Sequence, residues 1–158
     1  NRPANRARVV AGYCWDWKSK KNPEAWDIEI PEQGYRRQWN LGSDGSLWII
    51  APESVEQVGC IHTCQGLEVD YVGVIIGSDL VARDGRLVAQ PEGRSTMDRS
   101  IRGWRQAAVL DPTSIGRVHR IIRNTYRTLM TRGMKGCLVT STDEETRAFL
   151  RSRLRRPA

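Results

Sequence analysis

Phenylalanine occurs once in 158 residues and histidine twice, and no two of the four cysteines stand at CxxC spacing. A structural zinc site wants four ligands in a recognisable pattern, and Cys14, Cys60, Cys64 and Cys137 with His62 and His119 do not supply one. No metal is therefore expected, and the thiols read as buried side chains in a reducing, cytoplasmic setting. No apolar run approaches the roughly 18 residues needed to span a bilayer, so no membrane partner is expected. No signal peptide opens the chain, which begins "NRPANRARVV" without a methionine, like a piece cut from a longer protein. No Gly-Lys pair occurs anywhere, so the Walker A pattern G-x-x-x-x-G-K-[ST] is missing, as are GxGxxG, GxSxG and HExxH. These absences leave the chain without the main phosphate cradle and give self-contained hydrolysis little support.

What is present is a chain of one-domain size, with 39% hydrophobic residues and enough length to enclose a core. Lys and Arg number 25 against 18 Asp and Glu, a net charge of +7. That balance favours polyanionic partners and steering, without specifying a function. Most of the positive charge is arginine, whose planar fork suits phosphate better than the lysine ammonium does.

Along the chain, "RVVAG" (Arg8 to Gly12) reads as a strand and "KSKKNPEAW" as a surface loop. "WDIEIP" alternates apolar and polar residues, the period of a half-buried strand. "YRRQWNL" and "SLWII" are expected to pair around the turn "GSDG" at Gly42 to Gly45. "APESVEQV" suits a short helix or turn with Pro52 in its first position. Val69 to Ile76 reads as a buried strand, and Asp84-Gly85 between two alternating segments predicts a hairpin. Pro91 to Thr113 has the composition of a mobile loop, a long and partly helical excursion.

The strongest helix signal is Ile115 to Arg132. Val118, Ile121, Ile122, Thr125 and Leu129 share one face, and Arg117, Arg120, Arg123 and Arg127 gather on the other. Gly133 is placed to end it as a C′ glycine. "GCLVTS" reads as a buried strand and "STDEETRAFLRSRL" as a last helix, capped by Ser141 with Glu144 or Thr142 with Glu145. The expected fold is α/β, a mainly parallel sheet flanked by helices, with the hairpin as an insertion.

Two stretches carry candidate chemistry. "CIHTCQGLEVDYVGVIIG" crowds His62, Thr63, Gln65 and Glu68 around Gly66 at the entrance to an apolar strand. Ligands in open α/β sheets sit beyond the carboxyl ends of strands, and a glycine permits close approach to the backbone. Glu68 can accept from ribose hydroxyls, while Gln65 and Thr63 can face phosphate or base. A tight turn whose polar groups satisfy its own backbone explains the same residues equally well. In the second stretch, "NTYRTLMTRGMKGCLV", Arg132 complements a helix dipole or stabilises a transferring phosphoryl group. The arginine stripe admits either a solvated face or phosphate binding. The six tryptophans, Trp104 among them, admit base stacking or core duty.

"IHTCQGLEVDYVGVIIG" resembles motif V of superfamily-one helicases, and "YRTLMTRGMKG" resembles their motif VI, in the expected order. With "AGYCW", "ESVEQVGCIHTCQGLE" and "TRGMKGC", the chain from Arg8 to Asp143 is most similar to the Schlafen group three-like DNA/RNA helicase family. The resemblance implies that residues 1–158 form one domain, a C-terminal RecA-like (P-loop NTPase-like) motor lobe. Its partner would be an N-terminal RecA-like lobe carrying Walker A and B. ATP with Mg²⁺ would be bound mainly by that other lobe, and DNA or RNA would be the substrate. By motif position Arg132 matches the arginine finger. Gln65, Gly66 and Glu68 match residues near the nucleotide, and His62 and Thr63 match residues near the nucleic-acid strand. Arg120, Arg123 and Arg127 would extend that nucleic-acid surface. Arg8 is the arginine nearest the motif IV position, where relatives often supply a second phosphate contact. Turnover by these residues alone is not implied, since Walker A is missing. The alternative is a non-catalytic nucleic-acid-binding or regulatory module derived from a helicase lobe.

Overall fold

The computed structural model describes residues 7–40, 48–49, 51–64, 66 and 68–153. Eight strands and three α-helices are formed among them. The strands are β1 (Ala7–Ala11), β2 (Ile28–Ile30), β3 (Tyr35–Trp39), β4 (Gln57–Gly59), β5 (Val69–Ile76), β6 (Leu80–Arg83), β7 (Arg86–Ala89) and β8 (Gly133–Ser141). The helices are α1 (Trp104–Leu110), α2 (Ile115–Met130) and α3 (Glu144–Arg153).

Six strands make one sheet in the order β2-β3-β4-β1-β5-β8. From β3 to β8 every neighbouring pair is parallel, and only β2 runs antiparallel at its edge. Alternation along β1 and β5 divides the core. Val10, Val72, Val74 and Ile76 face the cluster completed by Ile122, Tyr126 and Leu129 of α2, with Leu150 of α3 against it. Ala11 and Ile75 face the other way, into a cluster with Tyr13, Ile28, Trp39 and Val58.

Tyr13 and Trp15 meet Trp39 edge-on, and Trp17 lies against it at a tilt. Trp48 is also fully buried. Most of the tryptophans thus do core duty. Trp104 is half-buried at the surface of α1.

β6 and β7 form the expected hairpin apart from the main sheet. Asp84 (φ 50°) and Gly85 (φ 71°) both occupy the left-handed region, as a two-residue I′ turn requires. The segment Pro52–Glu56 is a 3₁₀ turn with proline at its start.

Several expectations are corrected. β3 pairs with β2 and β4 rather than with "SLWII". Trp48 and Ile49 lie in a 3₁₀ turn, because Trp48 fills the core and donates its indole N–H to Gln57 Oε1 at 2.9 Å. The "GSDG" turn lies outside the described residues. α2 ends at Met130, where the Thr131 amide bonds back to the Arg127 carbonyl, and Gly133 already belongs to β8. A Cβ at Gly133 would meet the Gly136 carbonyl oxygen at 2.2 Å, so close approach, not a left-handed cap, is the reason for glycine there. α3 is capped by Asp143, whose Oδ2 accepts the Thr146 amide at 2.8 Å. β8 is the outermost strand, so Cys137 and Leu138 are exposed rather than buried.

The excursion from Pro91 to Thr113 is anchored, not loose: Arg94, Ser95, Asp98 and Ile101 are buried.

Candidate functional site

The strand after the first motif and the arginine of the second meet through the backbone. The Val69 amide donates to the Arg132 carbonyl at 2.9 Å, where β5 and β8 both begin. Glu68, one residue before, is exposed. Gly66 stands at φ 77° with nothing within 4 Å of where a Cβ would project. Arg132 is half-buried, its Nε donating to the Thr128 carbonyl at 3.1 Å and a terminal nitrogen to Thr131 Oγ1 at 3.3 Å. The guanidinium is thus oriented by the last turn of α2, and Glu68, which precedes the Val69 amide bonded to Arg132, stays exposed. Gln65 lies outside the described residues.

This places the site differently from the carboxyl-end argument. Gly59 of β4 is level with Val10, whereas Val69 begins β5 two residues before the position level with Ala7. Cys60 therefore stands at the carboxyl end of β4 and Glu68 at the amino end of β5, on opposite edges of the sheet. His62 and Thr63 fall in the turn at the carboxyl end; Glu68 and Arg132 gather at the amino edge. Thr63 is partly committed to that turn, since its hydroxyl donates to Asn40 Oδ1 at 2.8 Å. His62 is exposed.

Arg8 is buried at the amino edge, donating to the Ala7 carbonyl at 2.8 Å and to the Ile49 carbonyl. Its guanidinium lies 5.9 Å from the Trp48 ring centre, and burial pulls its pKa down. Arg8 and Arg132 line one crevice with Cys64 and Val69, of only about 10 Å³, which has room for about one water and none for a nucleotide. Burial pushes the Cys64 thiol up to about 12, with Cys60 adding to the rise and nearby Arg132 opposing it, so Cys64 is a neutral wall.

The cations of α2 are arranged otherwise. Arg120, Arg123 and Arg127 are exposed, and Arg123 reaches the Leu87 carbonyl on the hairpin at 3.4 Å. Elsewhere arginines find carboxylates: Arg37 with Glu56, Arg83 with Asp143, Arg94 with Asp79, and Arg147 with Glu144. From Arg99 to Arg132 there are eight arginines and one acid, Asp111, so this stretch carries a charge of +7, equal to that of the whole chain. The remainder is neutral. Asp111 is itself engaged by its own loop at the surface, accepting the Thr113 amide at 2.9 Å and the Thr113 hydroxyl at 2.7 Å.

The buried polar residues that pattern reading missed sit at the opposite edge. Arg94 donates to Asp79 at 2.7 Å, to Asp98 at 2.5 Å and to Thr125 Oγ1 at 2.8 Å. Tyr126 donates to the second Asp79 oxygen and accepts the Gly77 amide at 3.0 Å. The ion-paired side chains are essentially inaccessible, at 0–1% exposure. Burial disfavours the Arg94 charge, but Asp79 and Asp98 outweigh it and raise its pKa. Burial likewise pushes the Tyr126 hydroxyl well up, with Cys14 and Asp79 adding to the rise. The Arg94–Asp98 spacing of four was the available signal, hidden in a stretch with the composition of a loop.

Among the described residues no group of three His, Cys, Asp or Glu could hold a metal, and no helix is long and apolar enough to cross a membrane.

A mainly parallel sheet flanked by helices, with two separate sequence motifs joined at one edge, defines an α/β protein of RecA-like architecture. The family model described as "Schlafen group 3, DNA/RNA helicase domain" matches residues 1–143, and the chain belongs to that family. It is also similar to the uncharacterized protein YPL245W of Saccharomyces cerevisiae, at 28% identity over 113 residues, covering 70% of this chain and 23% of that protein. The chain thus spans about a quarter of the length of that relative. No solved structure matches it.

Proposed function

We propose that this domain is the second motor lobe of an ATP-dependent DNA/RNA helicase or translocase, with Arg132 as its arginine finger. The observation that carries the reading is the Val69–Arg132 backbone bond, which joins the motif V and motif VI segments at one open edge. The residues there fit the rim of a nucleotide and not its cradle: a cation, an exposed carboxylate at Glu68, and an accessible backbone at Gly66. Nucleotide and Mg²⁺ would therefore be held mainly by a first lobe carrying the Walker loops.

ATP would supply a γ-phosphoryl group whose hydrolysis drives motion. Arg132 would stabilise charge on that group, and Glu68 would accept from ribose hydroxyls. The tether of Arg132 to Thr128 and Thr131 shortens the search for that geometry. Motif V crosses the sheet from His62 and Thr63 to Glu68, giving a covalent route from a nucleic-acid strand at one edge to nucleotide at the other.

The test is nucleic-acid-stimulated ATP hydrolysis by the full-length protein. Arg132→Ala is expected to lower the rate by about 10³-fold or more at unchanged nucleic-acid affinity. A variant that keeps wild-type turnover removes the finger. The second reading, a non-catalytic nucleic-acid-binding or regulatory module, is favoured by the confinement of the net charge to Arg99–Arg132, which requires no ATP. A full-length protein that binds nucleic acid without any ATPase would establish it.

A further inference from the structure

We propose that the cavity between α1 and α2 is a base-binding pocket, which takes one unstacked nucleobase of a single strand whose phosphates lie on the surrounding arginines. This rests on the nucleic-acid reading above and adds a site distinct from both motifs.

The cavity measures about 290 Å³, at the small end of the range for ligand pockets and suited to one flat ring system. Its walls are apolar, formed by Ile101, Trp104, Ala107, Val118 and Ile121. Its rim is cationic: Arg102 and Arg117 line the opening, and both are exposed. Arg105 lies over the Trp104 ring at 4.8 Å, bringing a third guanidinium to the same place. None of the three makes an ion pair among the described residues; Asp111, the acid nearest Arg105 and Arg117 in sequence, is turned onto Thr113, and Asp98, nearest Arg102, is held by Arg94 and the Ser100 amide. An apolar slot inside a cationic rim matches a nucleotide, which is flat and apolar on its ring faces and anionic on its backbone.

A third, independent feature points the same way. Ser114 lines the cavity, and its Oγ is buried with no hydrogen-bond partner in the structure. Leaving a buried hydroxyl unsatisfied costs about 1–3 kcal/mol, so such a group calls for an explanation. A base edge in the cavity would supply the missing partner once rotation of the Ser114 side chain turns its hydroxyl toward the opening. Exposed Val109 and Leu110, at 83% and 87%, extend the apolar surface along α1.

The experiment compares binding of the full-length protein to oligo-dT, oligo-rU and an abasic deoxyribose-phosphate strand of equal length. Wild-type protein is expected to prefer a base-bearing strand by about tenfold, the scale of one base against an aromatic wall. Ala107→Trp fills the cavity from an exposed position; it should reduce that preference to within about twofold while keeping the steep salt dependence of phosphate binding. Ser114→Ala should weaken base-bearing strands only, without lowering thermal stability. Arg102→Gln with Arg117→Gln should weaken all strands alike and reduce the salt slope by about two. The dT and rU arms report which sugar is accepted. A wild-type protein blind to the base, as an acidic-peptide site would be, overturns the pocket, and so does an Ala107→Trp variant that keeps the preference. Failure to bind any strand overturns the pocket together with the nucleic-acid reading.

Discussion

The two edges of the parallel sheet are built on opposite principles. At the carboxyl edge, Arg94, Asp79, Asp98, Thr125 and Tyr126 form a dry network whose charged and polar groups satisfy one another. At the amino edge, Arg132 and Glu68 remain accessible, held in place by a backbone bond and one helical turn. A saturated network has nothing left to offer a ligand, whereas an open edge does. The buried charges therefore organise the fold, while exposed Glu68 and half-buried Arg132 stand where a ligand can reach them. The expensive part of the carboxyl edge also anchors the excursion that brings α1 against α2.

That contrast can be broken by substitution. Arg94→Ala is expected to be the most damaging, costing about 3–5 kcal/mol in denaturant unfolding, because Asp79 and Asp98 would be left buried without their counter-charge. A loss below about 1 kcal/mol would show that water reaches the network. Tyr126→Phe removes only a hydroxyl and should cost about 1–3 kcal/mol, leaving Asp79 one donor short. Asp143→Ala, at the start of α3, should cost about 1 kcal/mol as a lost cap.

The same carboxylates predict a pH dependence. The Asp143 carboxyl is held well below its ordinary 3.8, first by the Arg83 hydrogen bond, against a smaller opposing effect of burial, and by Thr146. Burial pushes the Asp98 carboxyl up, but hydrogen bonds from Arg94 and Ser100 outweigh it and hold it low. Both folded values lie below the unfolded one, so their stabilisation is fully present above pH 3.8 and fades as pH falls through the folded values. Unfolding midpoints should drop below that pH, and less steeply in Asp143→Asn; identical curves for the two proteins would remove Asp143 from the account. The smallest expected change sharpens the comparison from the other side: Arg132→Ala should alter stability by no more than about 0.5 kcal/mol. A large destabilisation would make Arg132 part of the scaffold.

Much of this was legible in the chain. The hairpin is written in Asp84-Gly85, because the I′ turn needs two left-handed residues in sequence. The length and phase of α2 are written in the spacing of Val118, Ile122, Thr125 and Leu129. Strand identity at β2 follows from local alternation, and at β1 and β5 from short apolar runs. The role of Trp48 was not legible, since an indole beside Ile49 and Ile50 has the pattern of a strand and its use in the core depends on Gln57. Nor was the cap of α3, where Ser141, Thr142 and Asp143 all qualify and only the path of β8 selects the third.

By itself the sequence determined the elements and the family: local periodicity sets secondary structure, and the two motifs are contiguous strings. It also determined that the net charge falls between Arg99 and Arg132. Tertiary structure decided what those residues face. Bringing Glu68 beside Arg132 required two strands separated by more than fifty residues to pair in parallel. Burying Arg94 required partners from the turn after β5, from α2 and from its own excursion to converge. Whether an arginine is spent on a carboxylate or left for a partner is a matter of distance in space, which linear order does not carry.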